Sequence, residues 1–291
     1  MIETANLQAF VKVAESGSFS IAAQQLFLTQ PAISKRIKHL EQQLNSKLLD
    51  RHGKQFQLTQ SGRSLLPRAR QILHDLEIAR QQIADLEGSP MGSLSMATSH
   101  HIGLHRLPPI LRAFIAQYLE VELDLSFMDS ERACELIATN QLEIAVVTLP
   151  FTSSDKLELI PVWDDRLVIA CAPDHPLVEL TSPTLQDLVH HAAVLPSHGT
   201  FTREAIELAL SEIRDELKIN LETNYLETIK MMVSVGLGWS ILPQGMLDSS
   251  LHALEIGGFQ SSRQLGIVLN RHRSQSKAMM AMLEMIQQFK A

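Results

Sequence analysis

The chain has 291 residues, of which 45% are hydrophobic and 20% charged, which is ordinary globular usage and long enough for about two domains. Its two cysteines, Cys134 and Cys171, exclude a disulfide-stapled scaffold and favour a reducing compartment. The net charge of −7 is unevenly distributed along the chain. Residues 28–70 contain nine lysines and arginines and two acidic residues, whereas residues 88–291 contain 14 lysines and arginines and 24 acidic residues. An anionic partner is therefore expected for the N-terminal part only.

Three short helices are predicted before residue 45. The first spans about residues 3–14 and has apolar residues at helical spacing, and the second spans residues 19–26 after a serine cap. Thr29 caps the third helix, and Pro31 is tolerated in its first turn, where backbone N–H groups lack intrahelical acceptors.

The third helix has two chemically distinct faces. Its apolar residues follow the spacing 4, 3, 4 along one stripe: Ile33, Ile37, Leu40 and Leu44. The opposite face is polar and basic, and consists of Pro31, Lys35, Lys38 and Gln42 flanked by Ser34. Two helices joined by a tight turn, the second with a basic outer face, predict a helix-turn-helix whose second helix enters the major groove of DNA. A solvated face without a partner is the alternative interpretation.

Two short apolar runs follow, Leu48–Leu49 and Phe56–Leu58, separated by a basic turn that contains Gly53. This pattern predicts a β-hairpin wing. We place its two cations, Arg51 and Lys54, among the candidate DNA contacts.

One long helix is predicted over residues 61–87. Its apolar residues form a heptad seam: Leu65, Ala69, Ile72, Leu76, Ala79, Ile83 and Leu86. Pro67 lies in the first turns and is expected to kink the helix or delay its start. The seam predicts a dimer, whose two copies would read two half-sites, and burial of the seam against its own domain is the alternative.

The segment "AFVKVAESGSFSIAAQQLFLTQPAISKRIKHLEQQLNSKLLDR", followed by "LTQSGRSLLPRA", resembles the winged helix-turn-helix of the LysR-type transcriptional regulators. The resemblance covers most of residues 3–70. It departs from the family pattern at Leu49, where phenylalanine is usual, and at Ile21, where a polar or basic residue is frequent. The resemblance implies DNA contacts by five residues near the start of the third helix: Thr29, Gln30, Pro31, Ser34 and Lys35.

For the whole chain, the resemblance implies a sequence-specific regulator rather than an enzyme, with no cofactor. Its partners would be double-stranded DNA at an interrupted inverted repeat near a promoter, a small-molecule effector, and further copies of the chain as dimer or tetramer, with RNA polymerase as a further candidate. The expected domains are a winged helix-turn-helix (1–60), a linker and dimerisation helix (61–87), a hinge (88–93) and an effector-binding domain (94–291).

Apolar runs alternate with helical stretches beyond the hinge "GSPMGS". Strands are expected at residues 94–98, 122–128, 143–149, 167–173, 192–196, 219–223, 239–243 and 264–270, and helices at 106–118, 131–139, 202–218, 226–235 and from about 274. This alternation predicts mainly parallel sheets covered by helices, in two α/β lobes with a cleft between them. The LysR resemblance implies the same body, a two-lobed, periplasmic-binding-protein-like domain whose cleft holds a small molecule.

Ligands in such sheets bind beyond the carboxyl ends of strands, where helix N-termini expose N–H donors. This rule selects ten candidate effector contacts: Ser99, His100, His101, Asp129, Thr148, Ser197, Gly199, Thr200, Phe201 and Asn224, the last near Glu227. The resemblance supports Ser99, Thr148 and the segment from Ser197 to Thr202 most strongly. Each residue is also explained as a helix cap or turn residue.

Other chemistry finds little support in the sequence. His101 and His105 are spaced i, i+4, but no complete set of metal ligands is visible in the sequence, so no metal site is predicted. The histidines could also hydrogen-bond a ligand carboxylate or confer pH sensitivity. Cys134 and Cys171 have the surroundings of buried small residues rather than of a redox pair. "GLGW" and "PSHGTF" match no phosphate loop or nucleophile motif, which leaves an enzyme unsupported.

A solute-binding transport component is a rival interpretation of the α/β body. The basic segment at residues 28–70 argues against this interpretation. The first residues of the chain also lack the short basic stretch and following apolar run of a signal peptide. No stretch approaches the ~20 apolar residues of a membrane span. We therefore expect a cytoplasmic protein with no membrane partner.

Overall fold

A computed structural model describes residues 2–52, 55–84, 89–152 and 154–289. The chain forms two compact units. The first comprises Met1–Ser89 together with Thr139–Gln141 and His272–Ser276. The second comprises Pro90–Ala138, Leu142–Arg271 and Lys277–Ala291.

The first unit contains four helices and a two-stranded hairpin in its described residues. They are α1 (Thr4–Ser16), α2 (Phe19–Gln25), α3 (Gln30–Leu44), β1 (Leu49–His52), β2 (Gln55–Leu58) and α4 (Gln60–Ala84). Side chains fix two of the helix starts, because Ser18 Oγ accepts from Ile21 N and Thr29 Oγ1 accepts from Ala32 N, each at 3.4 Å.

The core of the first unit is built mainly from one face of each of its first three helices. Phe10, Ile33 and Leu40 are fully buried there. Leu49 is also buried, at 5% exposure, so the smaller residue at this position still fills the core, whereas Ile21 is 46% exposed. Glu41 joins α3 to the wing, since its carboxylate accepts from the backbone N–H groups of Leu48 and Leu49 at 2.9 and 3.3 Å.

The expected delay of the long helix at Pro67 is wrong. Helix α4 begins at Gln60, because Thr59 Oγ1 accepts from Gly62 N at 3.0 Å and the Thr59 carbonyl accepts from Arg63 N at 2.9 Å, and the helix continues through the proline. The seam of this helix divides in two. Leu65 and Ala69 pack into the core of the first unit, whereas Ile72 and Leu76 are 46% and 45% exposed. The side chain of Ile83 is not described, and Leu86 lies outside the described residues.

The second unit contains two α/β lobes. The first lobe holds β3 (Gly92–Thr98), α5 (His100–His105), α6 (Leu107–Gln117), β4 (Val121–Phe127), α7 (Ser130–Ala138), β5 (Ile144–Thr148) and α11 (Lys277–Gln288). The second holds α8 (Leu185–Leu188), β7 (Ala192–Leu195), α9 (Phe201–Ala209), β8 (Lys218–Glu222), α10 (Leu226–Ser234), β9 (Ser240–Pro243) and β10 (His252–Leu254). Strand β3 begins at Gly92, within the segment expected to be a hinge.

Two long antiparallel strands, β6 (Leu157–Cys171) and β11 (Ser261–Asn270), run through both lobes. In the first lobe β3 pairs in parallel with β4 and β5, and β11 adds antiparallel to β5. In the second, β6 pairs antiparallel with β9 and β10, and β7 pairs in parallel with β8. The sheets are therefore mixed rather than mainly parallel.

Each lobe buries apolar side chains on both faces of its strands. Phe114, Trp163 and Met282 belong to the larger core of the first lobe, and Trp239 and Ile206 to that of the second. With the strands held in place by these cores, loops that follow several strands can border the cleft between the lobes.

Candidate functional site

Helix α3 presents its basic face to solvent. Thr29, Gln30, Pro31, Lys35 and Lys38 are exposed and Ser34 is half-buried. This face is free because Ile33, Ile37 and Leu40 hold the opposite face in the core. Within the described part of the chain, neither the Lys35 nor the Lys38 ammonium pairs with a carboxylate. The two charges are therefore available to an anion outside the chain.

The wing is an antiparallel hairpin in which Leu49 faces Leu58 and Arg51 faces Phe56. Arg51 thus lies in β1, but its side chain is not described, and Lys54 lies outside the described residues. Of the eight predicted DNA contacts, which also include Lys38 of α3, Arg51 and Lys54 thus have no described side chain.

Sequence reasoning missed Phe27, in the turn between α2 and α3. Its side chain is 95% exposed and its backbone has φ +54°, a left-handed conformation that bulky residues rarely adopt. A large apolar ring held fully in solvent next to the Thr29 cap adds to the surface around the start of α3. The only sequence signal was an aromatic residue inside a tight turn.

The cleft between the lobes collects seven of the ten candidate effector contacts. They are Ser99, His100, His101, Asp129, Thr148, Thr200 and Asn224. Ser197, Gly199 and Phe201 belong to the loop and first turn that precede and start α9, but these three residues do not line the cavity. Thr202, the last residue of the segment that the resemblance supports, also lines the cleft. Five lining residues were not predicted: Ser130, Glu131, Pro196, Leu226 and Arg263.

Arg263 is the buried cation of the cleft. It lies in β11, is 5% exposed, and donates to Asp165 of β6 at 2.9 Å and to Thr202 at 2.6 Å. Burial lowers the pKa of the guanidinium and the Asp165 carboxylate opposes that shift. No local pattern identifies this pair, because its members are 98 residues apart in the sequence and only the pairing of β6 with β11 joins them.

Glu131 places a carboxylate at the N-terminus of α9, where its Oε1 accepts from Phe201 N at 2.5 Å. Burial raises the pKa of Glu131, and the nearby Asp129 and Glu204 carboxylates add to the shift, while the Phe201 hydrogen bond opposes it. The Glu131 carboxylate therefore already accepts a hydrogen bond from a helix N-terminal N–H group, that of Phe201, which the sequence analysis expected to bind a ligand.

The lobes are drawn together across the cleft. Besides the Glu131–Phe201 bond, Asn224 Nδ2 donates across the cleft to Asp129 Oδ2 at 3.0 Å. Asn224 is held for this contact within its own lobe, where its Oδ1 accepts from Ser197 N at 3.1 Å. The cavity that remains is about 40 Å³. Cavities that hold metabolites are roughly 300–1,000 Å³, so an organic ligand of that size requires the lobes to separate.

Two histidines and a glutamate also meet across the cleft. Glu227 Oε1 lies 2.9 Å from His105 Nε2 and 3.4 Å from His101 Nδ1. These hydrogen bonds, that from His101 first, lower the pKa of Glu227 to about 2 against the opposing effect of burial. The sequence supplied the histidine pair, but Glu227 is 126 residues away from His101 and only the fold joins them.

Residues 87–291 match the family model of the LysR substrate binding domain, and residues 4–63 match that of the bacterial regulatory helix-turn-helix proteins of the lysR family. The chain belongs to the LysR family of transcriptional regulators. It is therefore a DNA-binding regulator with an effector-binding domain, in a family of regulators and not of enzymes. The predicted family, fold class and function class are confirmed.

Relatives of this LysR-type regulator match along different shares of its length. A probable RuBisCO transcriptional regulator from Nostoc sp. is 30% identical over 284 residues, which are 94% of this chain and 84% of that protein. An uncharacterized HTH-type regulator from Azotobacter vinelandii is 57% identical over 108 residues, 37% of this chain and 75% of that protein. A full-length OxyR variant from Pseudomonas aeruginosa shares the fold, with a TM-score of 0.76 at 20% identity over 99% of this chain and 98% of that one.

Both cysteines of the LysR-type regulator are buried free thiols. Burial raises the pKa of Cys134 to about 12 and that of Cys171 to about 11, with nearby carboxylates adding to both shifts. Thiolates are the reactive form, so these surroundings are those of inert residues. Among the described helices, none combines the length and apolarity that crossing a bilayer demands.

Proposed function

We propose that α3 of this LysR-type regulator lies in the major groove, with Thr29, Gln30, Pro31 and Ser34 near base edges. The single observation that carries this assignment is the exposed basic face of α3, whose cations Lys35 and Lys38 have no carboxylate partner among the described residues. These two cations neutralise phosphates, together with Arg51 and Lys54 of the wing.

The regulator acts in the cytoplasm as a homodimer or homotetramer on an interrupted inverted repeat near a promoter, where RNA polymerase is a further candidate partner. The exposed half of the α4 seam, Ile72 and Leu76, supports pairing through this helix. Two paired chains place two reading helices on successive half-sites.

A small polar effector binds the second unit in the cleft bordered by Ser99, Thr148 and the Ser197–Thr202 segment. The polar lining of the cavity supports this assignment. Since the cavity is small, binding selects a more open arrangement of the lobes. An effector shifts that arrangement only by the difference in its affinity for the two states.

The test is the salt dependence of DNA binding, with duplexes that the unmodified protein selects from a random library. Lys35→Ala and Lys38→Ala should weaken binding and reduce the slope of log K against log salt by about 0.9 for each phosphate that is no longer neutralised. Lys12→Ala is the matched control, because it removes one cation from α1 of the same unit, where Lys12 already pairs with Glu15 at 3.4 Å. Slopes unchanged in both α3 variants contradict the groove-facing assignment.

A further inference from the structure

The His101, His105 and Glu227 side chains, hereafter the histidine–glutamate cluster, form a compact group of metal-ligating atoms. One atom from each residue, two imidazole nitrogens and a carboxylate oxygen, lies within 4.8 Å of the other two. The histidines are four residues apart on α5, so both point from one face of one helical turn. Glu227 comes from the first turn of α10, in the other lobe.

Two of the three distances in the cluster, those to the Glu227 oxygen, are near the spacing of a tetrahedral metal site, and the two histidine nitrogens lie within 4.8 Å of one another. With bonds of about 2.0–2.2 Å to a central ion, neighbouring ligand atoms in a tetrahedron are about 3.3–3.6 Å apart. The glutamate oxygen is 3.4 Å from His101 Nδ1 and 2.9 Å from His105 Nε2. Small side-chain rotations would admit an ion between the three.

The donor set selects the chemical class of the ion. Imidazole nitrogens suit zinc, cobalt, nickel, copper and iron, whereas magnesium and calcium prefer sites made of oxygen alone. Three protein ligands leave a fourth position for water or for a donor atom of a small ligand.

Access and charge also fit a cation. The side chain of His101 is 9% exposed, but those of His105 and Glu227 are 49% and 35% exposed, so an ion can enter from solvent. The charge of Arg263 acts on Glu227, but its guanidinium is ion-paired with Asp165 at 2.8 Å, which weakens its repulsion of a cation.

We propose that the histidine–glutamate cluster binds one divalent transition-metal ion of the zinc class. Because its ligands come from both lobes, the bound ion fastens the lobes to one another and gives the second unit a metal-dependent stability. The site shares His101 with the lining of the cleft, but an ion can bind there whether or not the DNA and effector assignments hold.

The experiment is metal titration of the full-length protein after removal of metal with a chelator. Cobalt reports ligand geometry through its visible absorption, and zinc is titrated in competition with a chromophoric chelator. We expect one ion per chain, a cobalt spectrum typical of four-coordinate nitrogen and oxygen ligands, and a rise in Tm with zinc because the ion binds the folded state. His105→Ala and Glu227→Gln should each weaken zinc binding by about tenfold or more and abolish the metal-dependent Tm rise.

Two control variants separate this site from adventitious binding by histidine. His252→Gln removes an exposed histidine of β10, and His191→Gln removes one ring of the His175–His191 pair, whose centroids are 4.9 Å apart. Both should leave zinc affinity unchanged. Glu227→Gln keeps the shape of the side chain, so its Tm without metal shows that the protein is folded. The proposal is overturned if zinc does not bind, if binding survives His105→Ala and Glu227→Gln, or if it is lost in His191→Gln instead.

Discussion

The Arg263 guanidinium is a buried charged group in the cleft that is stabilised by an ion pair with Asp165. Arg263 and Asp165 are both 5% exposed, and Asp165 is the ion-pair partner of the guanidinium in the described structure. Removing one member of a buried pair leaves the other without compensation, which costs more than removing both.

Asp165→Asn should therefore lower the free energy of unfolding by about 3–5 kcal/mol, measured by chemical denaturation. The double variant Asp165→Asn with Arg263→Met should lose much less, because no buried charge then remains unpaired. Equal losses in the single and double variants would contradict this account of the unpaired guanidinium.

Glu131 makes the stability of the second unit depend on pH. Its folded pKa is raised above the ordinary value of 4.5, chiefly by burial, so between 4.5 and the folded value the native state binds more protons than the unfolded state. The stability contributed by this group is thus present at low pH and is lost as the pH rises through that window.

Glu131→Gln should remove this dependence. The amide oxygen can still accept from Phe201 N, and the neutral side chain pays no charge desolvation, so the variant should be at least as stable as the unmodified protein at neutral pH. Tm measured against pH tests this, with Glu120→Gln, an exposed position, as the control. Parallel curves for Glu131→Gln and the unmodified protein refute the assignment.

Elements defined by local signals were predictable from the sequence. The cap at Thr29 and the apolar stripe of α3 act within a few residues of one another, and α3 begins directly after that cap. Helix α9 was predicted to reach residue 218 but ends at Ala209, because Leu210 and Ile213 turn into the core and tertiary burial overrides the helical propensity of the segment.

Features that depend on long-range pairing were not predictable. Strand β6 begins at Leu157. The apolar pattern of the sequence indicates a start only near residue 167, because the charged residues of "PVWDDR" interrupt that pattern. Asp165 is tolerated inside the strand by its pairing with Arg263 of β11. In the cleft, Glu131 and Glu227 were missed for the same reason, since their partners come from the other lobe.

Helix α4 carries the prediction on oligomeric state. Ile72 and Leu76 are nearly half exposed within one chain, so they contribute little to folding and can bury further area against a second helix. Ile72→Ala with Leu76→Ala should shift the assembly towards monomer, measured by light scattering after size exclusion, with little change in the unfolding of the single chain. Arg80→Ala, at an exposed position of the same helix, is the control. An unchanged mass across a wide range of protein concentration would remove the seam from the interface.

At the scale of the whole second unit, two lobes share two continuous strands and are closed by side-chain contacts at the cleft. The two strands connect the lobes, and two hydrogen bonds, Glu131–Phe201 and Asp129–Asn224, join them across the cleft, so we expect these bonds to favour the closed arrangement. An effector that enters must compete with these bonds, so weakening one of them should raise the population of the open state even without ligand.

Asp129→Ala tests this directly, because the hydrogen bond that its carboxylate accepts from Asn224 crosses the cleft. Loss of about 1 kcal/mol of closing free energy should speed exchange of the Phe201 amide, which is bonded to Glu131 of the other lobe, by about fivefold. Hydrogen exchange followed by mass spectrometry resolves peptides spanning the start of α9, and Glu120→Ala provides an exposed acidic control on the first lobe. A uniform increase across both lobes would indicate general destabilisation, and no increase at α9 would show that the Asp129–Asn224 bond does not hold the cleft closed.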